Sequence, residues 1–349
     1  MPDLRFAPQP DTVPQNGLRP RWALPLDAYP QTLSVSQDGR LLAVGTAEGE
    51  LLWVQAQTGE IASRARAHEQ GLQVAAFGAD LLATGGQDGL LRLWRANATQ
   101  PHAELNLGKA WVEHLAWTPD AKHLAVAAGR TPALFTRDGS ERWHLTQRAP
   151  VRALAFNPVG GLLAVGGSGG ASLVRTTDGG MDRVLPHKSP LLSLAFSPDG
   201  RVLAAGTGDN TAHFWRLSDR SGPGSQMSGF DGPPFRPMAL AWIGNTLATG
   251  GDVSIALWKF SGKGPEGTPP KMLHGHGDLV TQLAVDAGAR WLASASRDGV
   301  LMLRDLRKDF ATAGAGMLSG AACGLIWHPR DTVFYASSEQ GVVALDVAV

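Results

Sequence analysis

Residues Ser189 to Trp215 read "SPLLSLAFSPDGRVLAAGTGDNTAHFW". Two apolar runs flank Pro198-Asp199-Gly200, and a Gly/Asp/Asn turn leads to a third run ending in Phe214-Trp215. Short runs of Val, Leu, Phe and Trp bounded by turn residues are strand signals. In the Pro-Asp-Gly turn, the carboxylate holds the turning backbone and the glycine accepts a positive φ. The stretch predicts three consecutive antiparallel strands.

The pattern recurs along the chain. The first run ends at Val35, Phe77, Trp117, Phe156, Phe196, Trp242, Val285 and Trp327, at spacings of 42, 40, 39, 40, 46, 43 and 42. The second run carries an alanine at Ala43, Ala83, Ala125, Ala164, Ala204, Ala248, Ala293 and Ala336. The third ends in Leu-Trp or a relative, as at Leu52-Trp53, Leu93-Trp94 and Leu257-Trp258. Three independent columns in step over such a length define a repeat. A weaker fourth run follows in most copies, as in "EIASRAR" from Glu60 and "DRVLP" from Asp182. The unit is a four-stranded antiparallel meander. One such sheet cannot bury both faces, so copies must stack around an axis.

The runs "LAFSPDGRVLAAG", "LATGGQDGLLRLW" and "GHGDLVTQLAV…LASASRDG" resemble the blades of WD-repeat β-propellers, over residues 20–349. The expected fold is an all-β, eight-bladed β-propeller of four-stranded antiparallel blades. Seven blades, the habit of that family, is the alternative. The last copy ends at Val349 after three strands, so the ring is expected to close with an N-terminal strand, "RWALPLDAY" from Arg21 to Tyr29. Residues 1–19, with four prolines, read as a disordered tail ahead of a single propeller domain, 20–349. Removing 1–19 is then expected to be harmless, and removing 1–29 to be costly.

The resemblance also implies a buried hydrogen-bond network of His, Ser/Thr, Asp and Trp in each blade. The second copy matches it with His68, Thr84, Asp88 and Trp94. The fifth has His187, Asp209 and Trp215, with Ala205 at the hydroxyl position. The seventh has His276, Ser294 and Asp298, with Arg304 in place of the tryptophan. The third, fourth and eighth copies have lost most of the set, and the fourth and eighth blades are expected to be the looser ones.

Nothing in the chain has catalytic spacing. His274 and His276 form a possible ligand pair without an evident third, and the turn aspartates lie on different blades. "VGGSGG" from Val165 lacks the Lys-Ser/Thr of a phosphate loop. Cys323 is alone, which excludes an intramolecular disulfide, and it falls on an expected inner strand. A Trp-rich eight-bladed quinone dehydrogenase would need an export signal, a longer chain and calcium-binding carboxylates. Lys+Arg and Asp+Glu balance at 31 each, so no overall charge favours nucleic acid or a membrane surface. No apolar run reaches membrane-spanning length.

The expected function is therefore a non-catalytic, cofactor-free scaffold that binds a protein or peptide on one face, as a cytoplasmic monomer. The Ala/Gly/Arg-rich, Lys-poor composition suggests a bacterial source. Propeller geometry puts the fourth-to-first and second-to-third connections on that face, the top. Large side chains there are the contact candidates: Trp111, Arg130, Arg148, Lys188, Phe230, Phe235, Arg236 and Arg297. The insertion from Ser218 to Pro237 is the preferred specificity element, and a second, Ser261 to Pro270, lengthens a bottom loop. The alternative is a small-ligand or metal-binding protein, or an enzyme, using the channel mouth, where Glu113, His114 and Arg152 are the only polar group to nominate.

Overall fold

The computed structural model describes residues 17–219, 224–226, 239–261 and 264–348. They form eight four-stranded antiparallel sheets. Blades 1 to 7 span residues 30–66, 72–106, 112–144, 151–186, 191–226, 240–273 and 280–317. Blade 8 joins three strands within 322–347 to the N-terminal strand Leu18–Pro25. The propeller has eight blades, not seven.

The columns of the repeat have direct physical causes. Second strands such as Leu41–Thr46, Val202–Thr207 and Val333–Ser338 are buried at every position. A neighbouring blade covers each face, so their sequence does not alternate. The eight alanines at the centre of these strands are at most 1% exposed. Anything larger there would push two sheets apart. The first strands pack on one another around the axis, blade 8 against blade 1 included. Ala75 N and Phe77 N of blade 2 donate to the Thr32 and Ser34 hydroxyls of blade 1, at 3.2 and 3.0 Å.

Among the described residues, tryptophan indoles cross six of the eight junctions. Trp22 donates to the Ala56 carbonyl at 3.0 Å, Trp53 to Ala98 at 3.0 Å and Trp143 to Thr176 at 3.1 Å, each reaching a bottom connection of the next blade. Trp117, Trp242 and Trp327 end the first strands of blades 3, 6 and 8. They donate backward to Ala76, Ala195 and Ala284, at 2.9, 3.3 and 2.9 Å. Arg183 spans blades 4 and 5, donating to the Asp219 and Leu217 carbonyls at 2.7 and 3.2 Å. Lys271 spans blades 6 and 7, donating to the Asp309 carbonyl at 3.0 Å.

The ring closes where the chain ends meet. Leu18 pairs with Val347 and Pro25 with Gly341, with an irregularity between Pro20 and Trp22. Arg21 clamps the seam, its Nη2 lying 2.6 Å from Asp346 and 3.3 Å from Asp331. The closing strand is displaced from its expected bounds: it starts at Leu18 and stops at Pro25, short of Tyr29. Leu18 is buried in the core between blades 7 and 8, so Leu18 and Arg19 belong to the ring and not to a tail. Residues 1–16 lie outside the described residues.

Phe334, Tyr335 and Ala336 of blade 8 are fully buried, like the second-strand centres of the other blades. The shortest ladders are elsewhere. The outer strand of blade 5 has 2 residues, and the four strands of blade 6 have 4, 4, 5 and 3.

Candidate binding surface

The top face carries the connections that lead into each first strand and those between second and third strands. Seven first strands carry a β-bulge at their top ends, so that one extra residue sits between the first two ladder pairs. The bulged residues are Gln31, Gln73, Glu113, Arg152, Leu192, Thr281 and Cys323. A bulge re-aims its side chain, and these seven ring the channel mouth. The sequence does not reveal them. First strands are half-buried nearly throughout, so one extra residue breaks no visible alternation.

At the junction of blades 3 and 4 the mouth is charged. Burial lowers the pKa of His114, against the Glu113 carboxylate and a hydrogen bond to the Val151 carbonyl; the Arg152 charge lowers it further. Glu113 and Arg152 thus both act on His114. Burial pushes the Cys323 thiol up, opposed by a hydrogen bond from Tyr29, so at neutral pH it is a half-buried thiol rather than a thiolate.

Among the contact candidates, Trp111 is 47% exposed in the connection entering blade 3. Arg130, Arg148 and Lys188 are exposed on top connections of blades 3, 4 and 5. Arg297 is committed to Asp278, through contacts of 3.0 and 3.1 Å. Phe230, Phe235 and Arg236, with most of the Ser218–Pro237 insertion, lie outside the described residues.

The internal networks differ from blade to blade. In blade 2 the four residues join in one chain. His68 Nδ1 meets Asp88 at 2.8 Å, His68 Nε2 meets the Thr84 hydroxyl at 3.0 Å, and Trp94 donates to Thr84 at 2.9 Å. Arg92 adds a bond to Asp88 at 3.1 Å and one to the Ala67 carbonyl at 2.7 Å. In blade 5, His187 does not reach Asp209. Its Nδ1 lies 2.9 Å from the Ser189 carbonyl, and the Ser189 hydroxyl donates to Asp209 at 2.8 Å. Trp215 meets the His187 ring edge-on at 6.3 Å. In blade 7, His276 lies 2.8 Å from Ser294 and 2.9 Å from Ser296, and Ser296 in turn donates to Asp298. Blade 6 holds a pair that sequence reasoning passed over: Trp258 donates to Thr249 at 3.0 Å. Both residues stand in the expected columns and could have been read. The two histidines of "HGH" serve different blades, since His274 meets Ser254 of blade 6 at 2.9 Å. Among the described residues no three His, Cys, Asp or Glu side chains converge to hold a metal ion.

A family model described as "WD domain, G-beta repeat" matches residues 181–216 and 267–305. The first match runs from the outer strand of blade 4 through the third strand of blade 5, and the second ends with the third strand of blade 7. The sequence repeat is thus offset by one strand from the blade, as the closing seam requires. No curated protein matches the chain. The crystal structure of the computationally designed Ika8 protein is similar in fold, with a TM-score of 0.80 over 94% of this chain and 99% of that one, at 19% identity. Two matched repeats set in a ring of eight like sheets support a WD-repeat β-propeller family for this chain.

Proposed function

We propose that the chain is a non-catalytic, monomeric cytoplasmic scaffold whose top face, over blades 3 to 5, holds a protein or peptide partner. Propellers of this family commonly serve as interaction scaffolds. The observation that carries the reading is Trp111, nearly half exposed, beside the exposed cations Arg130 and Arg148. Exposed tryptophan and arginine supply most hot-spot energy at protein interfaces. The insertion with Phe235 and Arg236 is a second contact element on this reading, argued from its sequence alone. Affinity capture with the full chain tests the proposal. Trp111→Ala is expected to remove a stoichiometric captured protein while leaving the melting temperature unchanged; undiminished capture would overturn it.

A second reading places a small ligand at the channel mouth. It is favoured by Glu113 and Arg152, at adjacent bulges, both acting on His114. Native mass spectrometry of the purified chain separates the two, because a retained metabolite or metal favours the mouth.

A further inference from the structure

A groove of about 460 Å³ opens on the top face of blade 4, between the connection 146–150 and the turn at Ser168-Gly169. Its origin follows from comparison with blade 2. The ladder of blade 2 begins with Leu72 opposite Gly86, and that of blade 4 with Val151 opposite Gly167. Counted from those pairs, Gln147 stands where His68 stands and Gly169 where Asp88 stands. Ser172 faces Val165 as Arg92 faces Thr84. In blade 2 the three side chains fill this space and satisfy one another, with His68–Asp88 at 2.8 Å and Arg92–Asp88 at 3.1 Å. In blade 4 all three replacements line the groove. A side chain at Gly169 would meet no atom within 4 Å.

The walls suit an anion. The top connections and first-strand bulges of blades 3 and 4 carry Lys109, Arg130, Arg148 and Arg152 against a single acid, Glu113. Arg148 lines the groove, and the Arg130 carbonyl accepts the Gln147 N–H at 2.8 Å. Neither guanidinium has an ion-pair partner among the described residues. The backbone N–H groups of Arg148, Ala149, Ser168 and Gly169, all residues of the groove, find no acceptor among the described residues. Arg148, Ser168 and Gly169 are exposed, so these donors are open to solvent and to an incoming acceptor, and successive free N–H groups can make anion-binding concavities. Val184, 54% exposed, adds an apolar side.

We propose that this groove receives an acidic side chain of an extended peptide. The carboxylate enters beside Arg148, in the place that Asp88 fills in blade 2, and a neighbouring apolar residue lies on Val184. The proposal rests on the docking role of the top face and names the chemistry of the partner.

Fluorescence polarisation on the full chain tests it, with fluorescein-labelled Gly-Glu-Leu-Glu-Gly and its Gly-Lys-Leu-Lys-Gly counterpart. The acidic peptide is expected to bind and the basic one not to. Arg148→Glu is expected to weaken binding about tenfold, and raising salt from about 50 to about 300 mM severalfold. Ser168→Trp, which fills the groove from an exposed turn, is expected to abolish it. Arg64→Glu, on the outer strand of blade 1, is expected to leave it unchanged. All three variants should melt with the parent; for any that does not, Arg148→Ala supplies the same readout. Equal binding of both peptides, indifference to Arg148, or displacement by inorganic phosphate at the peptide's own concentration would overturn the proposal. Capture of a protein through Trp111 without acidic-peptide binding sinks this assignment alone. Loss of both sinks the docking role as well.

Discussion

Arg304 shows how one side chain resets its surroundings. It stands in the tryptophan column of blade 7, is 4% exposed, and spends its donors on Thr312 and on the His274 and Phe310 carbonyls. No carboxylate pairs with it among the described residues, and its Nε has no hydrogen-bond partner. Burial, with this charge nearby, lowers the pKa of His276 from 6.5 to about 4. The unfolded chain then takes up a proton below pH 6.5 that the folded chain refuses until about pH 4. Stability contributed by neutral His276 is complete above that window and lost as pH falls through it, on the order of 3 kcal/mol in all. Melting curves between pH 7 and pH 4 should show this acid loss, and His276→Gln should flatten it. Arg304→Met should shrink it by letting the pKa rise, and an unchanged acid limb in both variants would refute the account. The arginine was legible as a departure from the repeat. Its effect was not, because a pKa depends on what else is buried beside the group.

At the scale of strands and junctions, the repeat columns were readable because each has a single physical cause. The alanine column follows from sheet-to-sheet distance, the turn aspartates from local hydrogen bonds, and the aromatic column from packing. Which tryptophan reaches which neighbour was not readable: first-strand Trp117, Trp242 and Trp327 bond backward, third-strand Trp53 and outer-strand Trp22 and Trp143 bond forward, and third-strand Trp94 and Trp258 bond within their own blades. Trp143 illustrates the forward type, being 8% exposed and bonded to Thr176 of blade 4. Trp143→Phe keeps most of the packing and removes the indole donor, leaving one carbonyl short of a partner. The expected cost is about 1 kcal/mol, read as a lower denaturation midpoint with an unchanged slope. An unaltered midpoint would mean that junction bonds of this kind contribute nothing net. Blade 4 could be seen in sequence to lack its network. That the lack would leave a groove lined by backbone donors required the register of its strands.

For the whole molecule, the number of blades and the manner of closure were both legible, the first from the count of columns and the second from a last copy one strand short. The boundary was misplaced by three residues, at Leu18 instead of Arg21. Leu18 and Arg19 precede a proline and resemble the tail in composition, while the burial of Leu18 depends on strands more than 270 residues away in sequence. The expected truncation behaviour shifts accordingly. Deleting residues 1–16 should leave the melting temperature unchanged. Deleting 1–25 removes the whole fourth strand of blade 8 and the Arg21 clamp, and should lower it by more than 10 °C, since several kcal/mol are lost at about 2–4 °C each. Deleting 1–19 should fall between the two, because it strips buried Leu18. Equal melting of the two longer truncations would place the seam's strength wholly in residues 17–19.

The closing seam also fixes where attachments can leave the molecule. Gly17 O accepts the Ala348 N–H at 3.0 Å, so residues 17 and 348 lie side by side. Both lie on the bottom, the side away from the blade 4 groove. A tether attached at residue 17 or 348 would start on the side away from the groove. Joining the ends by a few residues and cutting at another bottom connection would give a circular permutant in which a different blade is completed by strands from opposite ends of the chain.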